Sequence, residues 1–523
     1  MLFISELLAI TIWLDAAALS NANIVTALMR SWGSWVLRVI VASAGLFMAL
    51  RYLGNREPQR VFPETDEPRI HWHLLAWHVG AIAVFAYVSS KLFGGHLSGA
   101  QNGAAAVAWL ALGMLAIVLA ATAFVPAAQW IELFRGNAKI WFWAVAAAVL
   151  ACVAGNVGRL LWAPVTRATF GLVKIFLGLF VPLLVSDPAA MTIGSPAFHV
   201  EIAPECSGLE GMGLILVFTI AWLCLFRKEF RFPQALLVIP AGLGVMFLLN
   251  ALRIAALILI GNAGAPEIAL GGFHSQAGWI AFTAVTLAFP VVAGRIAWIG
   301  ATQTGPQRAE SVGENPTTRY ILPFLAILAA AMISRAASGP FEWLYPLRFF
   351  AAFAILWHFR RQYADLDWHF GWFAAAIGAV VFAMWLGLDR LAPAGAASGI
   401  PAGLAMLPAW ARIGWLAFRV AGAVFTVPIA EELAFRGFLS RRLLCADFER
   451  IRLRGIALIP LLVSSLAFGL MHGSRWFSGA IAGLAYGLAM RRRGRIGDAV
   501  AAHAITNALL AAWVLWRGEW GLW

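Results

Sequence analysis

The chain has 523 residues, of which 62% are hydrophobic and only 12% are charged, and its mean hydropathy is +0.81. This composition excludes an ordinary soluble domain and indicates a polytopic membrane protein. We expect an all-α fold surrounded by membrane lipids, because backbone polar groups in lipid must be satisfied within each segment. The formal net charge of +13 does not indicate a nucleic-acid partner, since the basic residues form short clusters between apolar runs.

Apolar runs close to the roughly 20 residues needed to cross a bilayer recur along the whole sequence. The spans predicted in the first half are residues 1–20, 35–53, 73–93, 104–125, 141–161, 167–185, 211–226, 232–261 and 277–299. Those predicted in the second half are residues 320–334, 347–357, 370–388, 413–430, 456–471, 477–490 and 500–516. Residues 1–20 have no basic n-region and contain Glu6 and Asp15, so we expect a weakly hydrophobic first span and no cleaved signal peptide.

A polar stretch rich in proline and glycine interrupts the apolar pattern after residue 299. We therefore predict a transmembrane domain at 1–300, a cytoplasmic linker at 301–319 and a second membrane-embedded domain at 320–523. Basic clusters mark the ends of several spans, and we expect them to face the cytoplasm: they are 227–231, 360–361, 441–442 and 491–495. This orientation places position 206 and position 274 on the outer side.

The four cysteines, at positions 152, 206, 224 and 445, have neither disulfide nor metal-ligand spacing. We predict no metal site and no cofactor.

One polar stretch with a thiol stands directly before the span at 211–226. Residues 198–203 alternate apolar and polar side chains, which predicts a short strand lying on the membrane surface. Cys206 follows, and we expect the next helix to begin at Gly211. A thiolate near a helix N-terminus is favoured by the partial positive charge there, so Cys206 is a candidate nucleophile.

Two more side chains reach the same outer side in the predicted topology. Arg253 lies in an otherwise uncharged span, with Asn250 on the same helix face, and His274 falls in the following loop. Each residue alone has an ordinary explanation, as a buried thiol, a snorkelling arginine or a solvated histidine. Their meeting on one face favours a Cys-His-Arg site.

The motifs ECSGL at 205–209, NALR at 250–253 and His274 with the following Gly278 and Trp279 resemble exosortase signatures. The resemblance covers about the first 300 residues. It implies a bacterial inner-membrane enzyme that processes C-terminal sorting signals of the PEP-CTERM type, and therefore sorting-signal proteins as partners. In that family's chemistry, Cys206 attacks the scissile carbonyl, His274 relays protons and Arg253 stabilises the oxyanion.

A second set of polar residues begins where the apolar run at 413–430 ends. Glu432 and Arg436 are four residues apart on a helix and can pair, which leaves Glu431 free to serve as a general base. Ordinary interface positions would also explain Glu432 and Arg436.

Two histidines and an amide follow further along the chain. Phe468 and His472 end one apolar run, and His503 and Asn507 share a face of the last span. A zinc site is a less favoured interpretation, because the two histidines do not form an HExxH motif and no cysteine is near. Together with Glu431, these residues predict a site that activates water.

The motifs EExxxR, FxxxH and HxxxN, in this order, resemble the CPBP intramembrane proteases, which include CAAX prenyl endopeptidases. The resemblance implies that Glu431 activates water with His472, while His503 and Asn507 form the oxyanion side. A cytoplasm-facing cavity would suit Glu431 and His503, whereas the charge pattern places His472 at a different depth.

An exosortase joined to a CPBP protease resembles the exosortase E type, which is associated with VPEID-CTERM proteins. Two other interpretations stay open from the residues alone. In one, the chain is a transporter or an exopolysaccharide-export component with a polar path. In the other, the C-terminal domain is a non-catalytic immunity or scaffold module.

Overall fold

The structure is a computed structural model that describes residues 23–54, 71–93, 99–300, 315–391 and 400–523. The predicted span at 1–20 and most of the predicted linker, residues 301–314, lie outside the described residues. The helices of the first half are α1 Ile24–Gly54, α2 Trp72–Phe93, α3 Gly99–Phe124, α4 Ala127–Gly136, α5 Ala138–Leu160, α6 Trp162–Gly178, α7 Leu209–Leu225, α8 Val238–Asn262 and α9 His274–Arg295.

The second half continues as helices. They are α10 Pro316–Ala336, α11 Pro346–Phe359, α12 Trp372–Leu391, α13 Ala409–Arg442, α14 Leu458–Leu470, α15 Trp476–Arg493 and α16 Ile496–Arg517. Within α13, two π-helical turns, Gly422–Thr426 and Leu433–Leu439, interrupt the α-helical hydrogen bonding. Such turns are frequent at functional sites.

Eight helices among the described residues are long and apolar enough to cross a membrane. A ninth span results if the pair Ile24–Gly33 and Trp35–Met48, bent by 46°, counts as one. Some further apolar helices are shorter, including α7 and α14. The predicted all-α polytopic fold is confirmed.

By its contacts the chain divides into two compact units, Met1–Trp162 and Ala163–Trp523. In the first unit, the ring of Phe47 in α1 stacks on that of Trp141 in α5, with centroids 4.1 Å apart. Trp109 in α3 donates a hydrogen bond of 2.9 Å from Nε1 to Ser89 Oγ in α2. Aromatic packing and a satisfied indole N–H thus join the helices of this unit.

A small antiparallel sheet precedes the cysteine stretch in the second unit. Its strands, in the order β1-β2-β3, are β1 Val185–Asp187, β2 Thr192–Gly194 and β3 His199–Glu201. The strand expected within 198–203 is therefore present. The span predicted at 167–185 is too long, since α6 ends at Gly178. Pro182 follows closely, and it lacks the N–H that a continuing helix needs.

The sheet is attached to the C-terminal end of α8. Ser195 Oγ and Asn262 Oδ1 share a hydrogen bond of 2.6 Å, donated by the serine hydroxyl. Gly261 has no side chain where the ring of Phe198 packs, and a Cβ there would lie 2.2 Å from Phe198 Cε1. The residues leading to Cys206 are thus held at the end of α8.

A close backbone contact joins the segment before α9 to the end of α10. A helical turn, Pro266–Ile268, and a π turn, Ala269–Phe273, lead directly into α9. A Cβ at Gly272 would lie 1.8 Å from the carbonyl oxygen of Arg335. The loop predicted around His274 is therefore wrong: the glycines here do not break the helix, and Gly272 instead permits this approach.

Because of this contact, the start of α9 and the end of α10 lie on one side of the membrane, which we call the His274 face. Trp415 Nε1 in α13 donates to the carbonyl of Glu342, a few residues beyond α10, at 3.1 Å. Arg475, before α15, forms an ion pair of 2.7 Å with Asp389 at the end of α12. The basic clusters 360–361, 441–442 and 491–495 lie at the other ends of α11, α13 and α15, so they lie on the opposite face.

Small residues let α14 and α15 pack closely in the core of the second unit. A Cβ at Gly469 would lie 2.4 Å from the carbonyl oxygen of Trp476, and one at Gly487 would lie 2.4 Å from Leu461 Cδ1. Close approach through small residues is how helices in lipid gain packing energy. The buried side chains of Phe435, Phe468 and others fill the space around this pair.

Candidate active sites

The predicted nucleophile lies in a tight turn at the start of α7. Cys206 belongs to the 3-10 turn Pro204–Ser207, and Gly208 follows with a φ of 92°. The helix starts at Leu209, two residues before the predicted Gly211. The half-buried thiol therefore lies near the N-terminus of α7.

Two side chains from other helices hold this turn in place. Asn250 Nδ2 in α8 donates a hydrogen bond of 2.9 Å to the carbonyl of Cys206. Thr169 Oγ1 in α6 donates one of 2.9 Å to the carbonyl of Ser207. Gly208 is tightly constrained, since a Cβ there would lie 2.7 Å from Asn250 Nδ2. Asn250 thus fixes the backbone beside the thiol.

Arg253, one helical turn after Asn250, lines a cavity of about 180 Å³ together with Glu210 and Trp279. The guanidinium interacts electrostatically with both Cys206 and Glu210. Within the described residues its buried Nε has no hydrogen-bond partner. A buried donor without a partner costs free energy unless a ligand accepts from it, so this N–H is suited to an oxyanion.

His274 is the first residue of α9 and is exposed on the His274 face. It interacts electrostatically with Arg253. The next residue, Ser275, lines the cavity that contains Arg253, and so does Gly208, two residues after Cys206. Arg253 therefore lines this cavity, while Cys206 and His274 lie within two residues of lining residues; we call it the thiol cavity.

The second set of polar residues contains a fully buried network. Glu432 Oε1 accepts hydrogen bonds from Arg436 Nη1 at 3.1 Å and from His503 Nδ1 at 3.0 Å. Arg436 Nη2 donates to the carbonyl of Gly483 at 2.6 Å, and its guanidinium lies 4.4 Å from the ring centroid of Phe468. Glu432 and Arg436 are both 0% exposed. The pair joins α13 to α15 and α16.

Glu431 has a different environment from its neighbour. It lines a cavity of about 520 Å³ that also contains His472, His503 and Asn507. Its Oε2 lies 3.9 Å from His503 Nε2. Glu431, and not Glu432, is therefore available to a substrate or a water molecule in what we call the glutamate cavity.

His472 lies just beyond the end of α14, toward the His274 face. Its Nδ1 is 2.9 Å from the carbonyl of Phe468, which can only accept, so Nδ1 carries a proton, and in the neutral ring Nε2 is an acceptor. The depth difference expected from the charge pattern does not separate His472 from Glu431, because the cavity is long enough to include both.

The last sequence candidate, Asn507, donates a hydrogen bond of 2.8 Å from Nδ2 to the carbonyl of Ala423. This carbonyl belongs to the first π turn of α13. The amide has a second N–H and a carbonyl oxygen for other partners.

Several residues that the sequence did not point to also surround this cavity. The ring of Tyr486 stacks on His503, with centroids 4.8 Å apart and planes inclined by 13°. Its position in a run of small residues is a signal of close helix packing, but not of a site. Arginines at the His274 face also line the cavity; they are Arg335, Arg348 and Arg419.

The lining of the glutamate cavity indicates where it opens. It includes Arg335 and Trp523, both on the His274 face, and none of the clusters 360–361, 441–442 and 491–495. A cavity facing the arginine clusters, as the charge pattern and the resemblance together suggest for Glu431, does not fit this lining. Among the described residues, no group of three or more His, Cys, Asp or Glu side chains is arranged to hold a metal ion.

Comparison with protein families gives two matches. Residues 35–291 match the transmembrane exosortase (EpsH) model, and residues 413–509 match the type II CAAX prenyl endopeptidase Rce1-like model. No curated protein and no solved structure matches the chain. The two family matches agree with the predicted fusion and, with the apolar helices, indicate a multi-pass membrane protein with peptidase activity.

Proposed function

We propose that this chain, an exosortase-like segment joined to a CAAX-endopeptidase-like segment, carries two peptidase sites in the bacterial inner membrane. The first is a cysteine peptidase or transpeptidase, within residues 1–300, that processes C-terminal sorting signals of the PEP-CTERM or VPEID-CTERM type. The second, within residues 320–523, is a glutamate-dependent intramembrane endopeptidase. The observation that carries the proposal is that Arg253 lines a cavity at the start of α7 and interacts electrostatically with Cys206 and His274, which lie within two residues of other lining residues.

At the thiol cavity, the Cys206 thiolate attacks the scissile carbonyl to form a thioester. The Arg253 N–H groups donate to the oxyanion of the tetrahedral intermediate. His274 takes the thiol proton and returns it to the leaving amine. Attack by water, or by another nucleophile, then frees the thiol and releases the acyl group.

At the glutamate cavity, Glu431 removes a proton from water that attacks the substrate carbonyl. His472 Nε2 is an acceptor that can share the positioning of this water. Glu432 holds His503 through Nδ1, so His503 Nε2 is directed toward Glu431. The Glu432 carboxylate thus orients the His503 imidazole, as a carboxylate orients a histidine in other hydrolytic sites. The remaining N–H of Asn507 is a donor for the oxyanion.

The test is processing of a C-terminally tagged sorting-signal protein in cells that carry wild type, Cys206→Ala or Glu431→Gln. Loss of the thiol is expected to lower processing by about 10²-fold or more, as for removal of an essential nucleophile. Cys224→Ala is the matched control, since Cys224 is an exposed thiol in α7, the helix that follows the Cys206 turn. Full processing in Cys206→Ala with normal protein levels would favour a transporter or export role. A silent Glu431→Gln would favour a scaffold role for the second half.

A further inference from the structure

A third, open cavity of about 760 Å³ lies on the His274 face, between the start of α9 and the end of α10. We call it the groove. Its lining includes the polar side chains of Glu267, Gln276 and Glu342, and the glycines Gly271 and Gly339. Exposed backbone and polar side chains suit an extended polypeptide, because they can satisfy its peptide groups.

The groove shares one residue with each catalytic cavity. Ser275 lines both the thiol cavity and the groove. Arg335 lines both the groove and the glutamate cavity. The three cavities are therefore neighbours in series along one face of the second unit, with the groove in the middle.

Positive charge concentrates where the groove meets the glutamate cavity. Arg348 is paired with Glu342, but within the described part of the chain neither Arg335 nor Arg419 forms an ion pair. The Arg419 guanidinium lies 4.1 Å from the ring centroid of Tyr345 and 5.1 Å from that of Trp523. An arginine held between aromatic rings keeps its N–H fork available for an anion, and a carboxylate fits it.

We propose that one polypeptide is cut twice, first at the thiol cavity and then at the glutamate cavity, and that the groove carries its new C-terminal end between them. The inference rests on the proposed function. In the first cut, Cys206 forms a thioester and the downstream amine leaves with a proton; water then hydrolyses the thioester to a carboxylate and the free thiol. This carboxylate moves along the groove and binds Arg335 and Arg419. Water activated by Glu431 then cleaves a peptide bond nearer the N-terminus, giving a new carboxylate and an amine.

The experiment is mass spectrometry of the C-terminus of a tagged sorting-signal reporter purified from cells that carry the full chain. In Glu431→Gln, the reporter should end in a free carboxylate several residues longer than the wild-type product. In Cys206→Ala, neither end should form. If Glu431→Gln gives the same C-terminus as wild type while Cys206→Ala gives none, the transfer is wrong although the thiol activity stands. If Cys206→Ala still gives the wild-type end, the proposed function itself fails.

The groove is tested with Gln276→Trp, which fills it, against Leu287→Trp, which places the same indole on the exposed surface of the same helix. Gln276→Trp should raise the ratio of longer to final product by about tenfold over Leu287→Trp, corresponding to a modest binding loss. Equal ratios in the two variants would overturn the proposed path.

Binding of the carboxylate is tested with Arg419→Gln and Arg419→Lys. Loss of a charged partner typically lowers the affinity for an anion far more than exchange of one cation for another. The ligand is a synthetic peptide with the sequence of the longer product, and the protein carries Glu431→Gln so that the peptide is not cleaved. Adding Arg419→Gln to this protein should lower its affinity for the peptide about tenfold. The same peptide with a C-terminal amide should bind wild-type and Arg419→Gln cavities alike. If the peptide acid and the peptide amide bind equally to the protein that retains Arg419, a carboxylate site is contradicted.

Discussion

The imidazole of His503 lies between the carboxylates of two adjacent glutamates, with Nδ1 3.0 Å from Glu432 Oε1. Glu431, on the other side of the ring, lies 3.9 Å from Nε2 and lines the glutamate cavity. Consecutive residues of one helix point about 100° apart, so one carboxylate can be structural while the next is catalytic. This difference gives the two positions distinct and separable mutant phenotypes.

We predict that Glu432→Gln destabilises the protein, whereas Glu431→Gln leaves its stability nearly unchanged. Removing Glu432 leaves the buried Arg436 guanidinium without its counter-charge, which typically costs about 3 to 5 kcal/mol. The midpoint of thermal denaturation in detergent measures the difference. Equal midpoints for the two variants would contradict the division of roles.

The double variant Glu432→Gln with Arg436→Met tests whether the loss of stability comes from a buried unpaired charge or from lost packing. It removes both ions and should recover part of the lost stability, because no unpaired charge then stays buried. Peptidase activity at the glutamate cavity should stay low, since His503 loses the carboxylate that orients its ring. Recovery of both stability and activity would show that Glu432 does not position His503.

A second prediction concerns the close packing of α14 on α15. Gly469→Ala should destabilise the protein by about 1 to 3 kcal/mol, because its Cβ would meet backbone atoms of Trp476 and Ala480. Gly414→Ala in α13 is the matched control, since no atom lies within 4 Å of its Cβ position. There alanine should stabilise the helix by about 0.5 to 1 kcal/mol. Thermal midpoints of the two variants should therefore move in opposite directions.

A third prediction concerns the turn that holds the thiol. Gly208→Ala should lower processing at the thiol cavity, because its φ of 92° is costly for alanine and its Cβ would displace Asn250. Gly213→Ala, in the helix that follows Gly208 and with open space around it, should process normally. Asn250→Ala should reproduce the defect, since it removes the hydrogen bond to the Cys206 carbonyl. The measurement is the initial rate of reporter processing by the three variants at equal protein levels.

A fourth prediction concerns which compartment each cavity faces. We compare two proteins, one with Cys206 as its single cysteine and one with Glu519→Cys as its single cysteine. A membrane-impermeant thiol reagent should label both from the same side. Arg361→Cys should react only after permeabilisation, because its basic cluster is expected to face the cytoplasm. Labelling of Glu519→Cys and Arg361→Cys from one side would show that the His274 face has been assigned wrongly.

Much of this arrangement could be predicted because it depends on local or topological rules. Basic clusters indicate which span ends share a face, and from that rule Cys206, Arg253 and His274 are predicted to lie on one side of the membrane. The spacing of Glu432 and Arg436 was likewise sufficient to separate the two glutamates.

The remaining features depend on contacts between distant segments, which no local pattern records. The chain continues from the π turn into α9 without a loop, and Gly272 in this turn contacts the backbone of Arg335, more than sixty residues away. The π turns on either side of Glu431 and the stacking of Tyr486 on His503 are equally tertiary. The small sheet was only partly expected, since an apolar run does not distinguish the end of a helix from the start of a strand.

The contact at Gly272 also bears on how the two halves stay together. A carbonyl oxygen 1.8 Å from where a Cβ would be leaves no room for any side chain but hydrogen, so this surface is shaped to fit one partner. Recognition between the halves therefore depends on these folded surfaces. Two separately expressed polypeptides, divided within the predicted linker, should bind each other in the membrane and assemble as one enzyme.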